Sequence, residues 1–257
     1  MGGTYFPKEE KHGLPAFKTI LNSISDVYKD QRAKIIQQAD LIKKNLTLKK
    51  NAVLSQDLES IIQNLTNQLD EIKGGFKGAP KFPNFVFFDT LVYFFNRTKN
   101  KNYLNHIEKL LKSLCSQGIY DHTEGGISRY TIDEDWLIPH FEKMLYDNAQ
   151  FISLLSKYCL VDKKDYFLKK ITHTIHFMNT NFKNSENNLL GSALDADSDG
   201  EEGKYYVFNF NEIKEIEGID KYFDIKPEGN WEGKIILREL KYPSPEVINE
   251  LKKIRQK

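Results

Sequence analysis

Cysteine, tryptophan and methionine are scarce in this 257-residue chain, at two, two and three residues. Cys115 and Cys159 stand far apart and no C-x-x-C occurs, so local spacing builds neither a thiol-redox motif nor a zinc knuckle. Both are expected as reduced thiols of a cytoplasmic protein. An excess of one charge is also lacking: 37 Lys+Arg against 36 Asp+Glu leave a net +1. Nucleic acid and anionic membrane surfaces attract clustered positive charge, so neither is an expected partner. The densest apolar stretch, Phe85 to Phe95, is too short to span a bilayer and carries Asp89. Met1 to Pro7 has no basic or apolar leader character, which again favours the cytoplasm, and the sequons at Asn45, Asn64 and Asn96 are then chance matches.

What is present describes a folded chain: 40% hydrophobic, 12% aromatic and 28% charged residues exclude a disordered or collagen-like polymer. Residues 1–13 read as extended and turn-rich. A helix is expected from Leu14-Pro15 to about Leu46, because Phe17, Ile20, Leu21, Ile24, Val27 and Tyr28 recur at three and four residues. Further helices are expected near 55–72, 84–97, 101–116, 137–160, 163–182 and 244–256, with one strand over Lys204–Asn209. The chain is mainly α. Three long connections, 74–83, 118–130 and 191–203, are dense in Gly, aromatic and ionisable residues, the composition of binding loops.

Placed on a helix opening at Pro139, Phe141, Leu145, Ile152 and Leu155 share an apolar stripe. Asn148 falls within that stripe and needs its amide hydrogen-bonded. His140 and Asp147 take one flank and Glu142 and Tyr146 the other, so His140 and Glu142 do not address one point. His140 suits acid/base work near neutral pH, and Glu142 suits pairing with Arg129 or a loop amide. Asp195-Ala196-Asp197-Ser198-Asp199-Gly200 opens like a calcium loop, but its twelfth position is Tyr206 and a strand is expected to follow, so no metal is expected. Two uses of these carboxylates stay open: an acid and base with divided pKa values, or caps of a turn. Trp136, Trp231, Tyr130 and Phe76 are candidates for stacking on a sugar ring, with packing as the competing use. His106, His173 and His176 read as surface residues.

Seven segments stand in the order of a known family: Gly3-Thr4-Tyr5-Phe6-Pro7; Gly75-Phe76 with Ala79-Pro80-Lys81-Phe82-Pro83; Gly118-Ile119-Tyr120-Asp121; Arg129-Tyr130; Pro139 to Ala149; Asp195-Ala196-Asp197-Ser198 with Gly200-Glu201-Glu202-Gly203; and Gly229-Asn230-Trp231-Glu232-Gly233. The chain resembles thioredoxin-domain-containing proteins of the spermatogenesis-associated protein 20 type. The resemblance implies a partial (α/α)6 toroid of helical hairpins, similar to N-acylglucosamine 2-epimerases and six-hairpin glycosidases. It implies that residues 1–46 are the C-terminal remnant of a thioredoxin-like domain and residues 50–257 the N-terminal part of the toroid. The family's redox cysteines would lie outside this chain. The resemblance further implies a carbohydrate-like ligand, with His140 and Asp195 as the ionisable pair and Arg129, Tyr130, Trp136, Glu142, Asp147, Asp197 and Trp231 around them. No cofactor is expected. The alternative is a non-catalytic interaction protein, or one piece of a split reading frame, whose partner completes the toroid or supplies the thioredoxin-like half. Glu124 departs from the family's glycine-rich loop and is expected to alter its path.

Overall fold

The computed structural model describes residues 6–11, 13–46, 57–184 and 186–256. The Gly3–Tyr5 motif, the first turn of the helix expected from 55, and the toroid start expected near 50 fall outside this set. The chain divides into two compact units, 1–60 and 61–257.

In the first unit, the single helix expected over 14–46 is two, α1 (Phe17–Asp30) and α2 (Arg32–Leu46). Gln31 leaves helical geometry at φ −127°, although its N–H still reaches the Val27 carbonyl at 2.9 Å. The segment before α1 returns onto it: the Phe17 N–H donates to the Pro7 carbonyl at 2.8 Å, and the Phe6 and Phe17 rings lie 5.2 Å apart.

The second unit is mainly α. Following α3 (Leu58–Thr66), α4 (Phe85–Thr98) and α5 (Lys101–Ser116) are joined by two residues, a connection short enough to make them antiparallel. Lys99, in the left-handed region, closes α4, and the Asn100 side chain caps α5 by accepting from the Asn102 N–H at 3.0 Å. A second hairpin, α6 (Leu145–Val161) and α7 (Asp165–Phe177), packs beside the first through α4 and α6. Phe88, Leu91, Leu110, Leu114, Phe151, Leu155 and Phe167 meet in one buried core. Each such side chain contributes roughly 1.5–3 kcal/mol, so the hairpins hold while Cys115 and Cys159 stay free. Hairpins packed side by side in this way are part of an (α/α) toroid. The region 163–182 continues past α7 as a π-helical turn, Met178–Phe182.

Two expectations are corrected here. The helix expected from Pro139 begins only at Leu145. Residues 138–142 are extended and run back along 129–132, with His140 N–H on the Tyr130 carbonyl at 3.0 Å and Arg129 N–H on the Glu142 carbonyl at 2.9 Å. The strand expected over Lys204–Asn209 is a turn, because the Tyr206 and Val207 N–H groups fold back onto the Gly203 carbonyl at 2.8 and 3.3 Å. Only Phe208 pairs, with Ile235. Gly203 itself has φ 74°, and a Cβ there would sit 2.4 Å from the Phe141 ring.

The strands are short and lie elsewhere. β1 (Lys143–Met144) pairs antiparallel with β2 (Ala193–Leu194), and β3 (Asp197–Ser198) with β4 (Glu201–Glu202). Asp199 and Gly200, at φ 54° and 77°, make the β3–β4 connection, the two-residue left-handed turn that Asp-Gly favours. A smaller core of Phe208, Phe223, Ile235, Val247 and Leu251 gathers α8 (Phe210–Ile213) and α9 (Pro245–Arg255), which starts as its Ser244-Pro245 sequence implies. No helix among the described residues is long and apolar enough to cross a membrane.

Buried charge ties these parts together. Asp121 accepts from Lys143 Nζ at 2.8 Å and from Arg255 Nη1 at 2.9 Å, and all three side chains are at most 4% exposed. Burial alone would raise the Asp121 pKa, but the charges of Arg255 and Lys143 reverse it and hold the carboxyl far below its ordinary range. A second cluster sets Lys170 Nζ 2.6 Å from Glu239, beside His122. Removing one partner of such a buried pair strands the other. Asp121→Asn is expected to cost about 3–5 kcal/mol in a urea titration; a loss below 1 kcal/mol would show that the cluster does not hold α9 and β1 to the hairpins.

Candidate functional site

The extended path of Pro139–Glu142 sets the geometry of the rim. Side chains two apart on an extended segment share a side, so His140 and Glu142 project together, opposite to the helical expectation, while Phe141 turns inward and is 2% exposed. Glu142 Oε2 takes Arg129 Nη1 at 3.4 Å, the pairing expected from sequence. His140 stacks on Tyr130 (5.1 Å, 25°) and Tyr130 on Phe82 (4.6 Å, 25°), a continuous column of three rings. The carboxylate on His140 is Glu202 of β4, whose Oε1 lies 2.8 Å from Nδ1.

Asn148 meets the demand that the sequence placed on it. It is fully buried; its Oδ1 accepts from the Ile127 N–H at 2.8 Å, and its Nδ2 donates to the Ile127 and Met144 carbonyls at 3.1 and 2.8 Å. These bonds fix the 118–130 loop to the first turn of α6. Asp147, beside it, is also buried, at 8% exposure, but its Oδ2 has no hydrogen-bond partner among the described residues. Near a helix N-terminus a carboxyl is ordinarily stabilised as the anion. Here burial dominates: it pushes the Asp147 pKa from 3.8 to about 6, with Arg129 opposing the rise and Glu142 adding to it.

Asp147 lines a cleft of about 570 Å³. Phe76, Phe82, Phe85 and Phe87 supply aromatic walls from the 74–83 loop and the start of α4; Arg129, Tyr146, Asp147 and Gln150 supply the polar side. Apolar walls with a few convergent polar groups are the usual makeup of a small-molecule site. A carboxyl that titrates near neutral pH can both give and take a proton there.

The other expected residues divide clearly. Arg129 and Asp147 line the cleft, Tyr130 and His140 stand at its rim through the Phe82 column, and Glu142 joins it through Arg129. Trp136 is fully buried, its indole N–H on the Lys73 carbonyl at 3.0 Å, so it offers no face to a ligand. Trp231 packs on Phe141 at 5.2 Å, away from the cleft lining. Asp195 is exposed and its Oδ1 accepts from the Asp197 N–H at 3.2 Å, so of its two open uses the turn cap is the one seen; Asp197 is exposed in β3. No group of His, Cys, Asp and Glu among the described residues is arranged to hold a metal ion. Glu124 turns its carboxylate to the Tyr205 hydroxyl at 2.9 Å. Two histidines read as surface residues are not: the His106 side chain is 13% exposed beside Glu71, and His173 Nδ1 lies 3.0 Å from the Tyr120 hydroxyl.

Sequence reasoning missed Glu202 and the Phe82–Phe87 wall. The signal for the wall was present: Phe85-Val86-Phe87-Phe88 puts aromatic groups on more faces of α4 than one core contact uses.

Fold and cleft together define an α-hairpin protein with a ligand-sized, aromatic-walled cleft at the helix ends. Residues 1–47 match the family model Thioredox_DsbH, described as "Protein of unknown function, DUF255". The uncharacterized protein B0495.5 of Caenorhabditis elegans is 31% identical over 89% of this chain and 35% of its own length. Spermatogenesis-associated protein 20 of Mus musculus and of Homo sapiens are each 28% identical over 84% of this chain and 30% of their own lengths. The chain is similar over most of its length to spermatogenesis-associated protein 20, and it spans about a third of the length of these relatives.

The Asp147 environment carries a stability consequence. Its folded pKa lies above its unfolded value, so the folded state binds the extra proton between about pH 4 and 6, and stability falls as pH rises through that window. Asp147→Asn is therefore expected to stabilise the fold at pH 8, by ~2–3 kcal/mol at most, and to change it little at pH 3.5. Denaturant titrations at the two pH values test this; equal effects at both would show that the carboxyl is not desolvated.

Proposed function

We propose that the cleft beside Asp147 binds a carbohydrate-like ligand, with Asp147 as its proton-transfer group. The observation that carries this reading is a buried carboxyl with one oxygen lacking a partner, facing an aromatic cleft and titrating near pH 6. Sugars present apolar C–H faces and hydroxyl edges, which suit the Phe82, Phe85 and Phe87 side and the Asp147, Gln150 and Tyr146 side respectively. His140, bonded to Glu202, is the second ionisable group of this reading, at the rim. Residues 1–46 are read as the end of a thioredoxin-like domain and 50–257 as toroid hairpins; the family match over 1–47 supports the first of these.

A second reading, a non-catalytic interaction protein, is favoured by the exposed apolar row Phe17, Leu21, Ile24 and Val27 along α1. Calorimetric titration with a panel of neutral, amino and acidic mono- and disaccharides separates the two. Binding of at least one sugar, weakened about tenfold or more by Phe82→Ala, is expected under the carbohydrate reading. No heat from any sugar with a chain whose circular dichroism is helical would overturn it.

A further inference from the structure

We propose that the ligand of the Asp147 cleft carries a primary ammonium group on an apolar-faced ring, making it an amino sugar rather than a sugar acid or sugar phosphate. This rests on the carbohydrate reading above and narrows it.

Three observations converge. Asp147 lines the cleft while its Oδ2 is buried and without a donor among the described residues, so the ionised carboxylate is costly unless a positive charge comes close to it. Phe82, Phe85 and Phe87 line the same cleft, and aromatic rings attract ammonium groups. The charge balance then decides the sign. The titratable groups that face Asp147 are Arg129, Glu142 and Tyr146. Arg129 is the only cation lining the cleft among the described residues, and its guanidinium already meets Glu142 at 3.4 Å. With Asp147 and Glu142 both ionised the site is one negative charge in excess. A phosphate or carboxylate entering it meets two carboxylates and a cation already engaged; an ammonium group restores the balance of charge.

Isothermal titration of the chain with glucosamine, glucose and glucuronate tests this, because the three differ chiefly in carrying a positive, no or a negative charge. At pH 7 glucosamine is expected to bind about tenfold or more tighter than glucose, with glucuronate weakest. At pH 5 the glucosamine preference is expected to shrink by about tenfold, since Asp147 is then largely protonated. Asp147→Asn is expected to abolish the preference, which it would not do if the ligand were an anion held by Arg129. Glucosamine binding no tighter than glucose, glucuronate binding tightest, or a glucosamine preference kept by Asp147→Asn would each overturn the proposal and leave the carbohydrate reading standing. No binding by any sugar would end both.

Discussion

The interaction on which the rest of the second unit depends is the neutralisation of buried cations by Asp121. One carboxylate receives Lys143 Nζ, Arg255 Nη1 and the N–H groups of Thr123 and Glu124. Through Lys143 it fixes β1, through Arg255 it fixes the end of α9, and through its own turn it fixes the 118–130 loop. Lys143 also donates to the Gly125 carbonyl at 3.0 Å and lies 4.2 Å from the Phe177 ring centroid. A lysine so enclosed has no exit to water, so the backbone carrying it must follow the path that brings it to Asp121. That path is extended. The turn from 138–142 into α6, and with it the placement of His140, Glu142 and Asp147, follows from where Lys143 has to be.

Two other buried cations act in the same way on neighbouring pieces. Lys81 reaches Asp70 at 3.1 Å and the Glu134 carbonyl at 3.2 Å, and so pins the 74–83 loop that carries Phe82. Lys170 of α7 reaches Glu239, whose N–H in turn donates to the Ser116 carbonyl at 2.8 Å. Burial pushes the Glu239 carboxyl up, but bonds and charge from His122 and Lys170 outweigh it and hold it at about 2. Two of the three long glycine-rich connections, 74–83 and 118–130, are anchored by ion pairs whose cations are buried, Lys81 on Asp70 and Lys143 and Arg255 on Asp121. Such pairs add little net stability over apolar packing, but they tolerate few alternative arrangements. They give irregular backbone the definition that helices obtain from their own hydrogen bonds.

This explains what was legible in the sequence. Hairpins α4–α5 and α6–α7 followed from periodicity, caps and short connections, all of which act within a few residues of one another. The segment from Pro139 failed for the same reason. Proline followed by His-Phe-Glu-Lys-Met-Leu satisfies local helix rules, and only the distant Asp121 decides otherwise. Likewise Lys204–Asn209 has strand composition, but the left-handed Gly203 against Phe141 turns it. Asn148 was legible because a polar residue within an apolar helix face states its own requirement. Asp147 does lie on α6, but the helix does not reach His140, with which it was expected to share a flank, and its distinction, a buried oxygen without a partner among the described residues, comes from tertiary packing that local pattern does not carry.

Asp147 and Asn148 are adjacent, nearly equal in size and both buried, yet they stand in opposite conditions. The Asn148 amide uses both its oxygen and its nitrogen on Ile127 and Met144, and the fold gains a clamp. The Asp147 carboxyl keeps its Oδ2 without a partner among the described residues, and burial raises its pKa. An amide at 147 would occupy the same volume without a charge to desolvate, so packing alone gives no reason for the acid. The same functional group thus stands in two conditions in this chain: Asp121 joins two cations and closes the structure, while Asp147 keeps a buried oxygen unpaired beside the cleft.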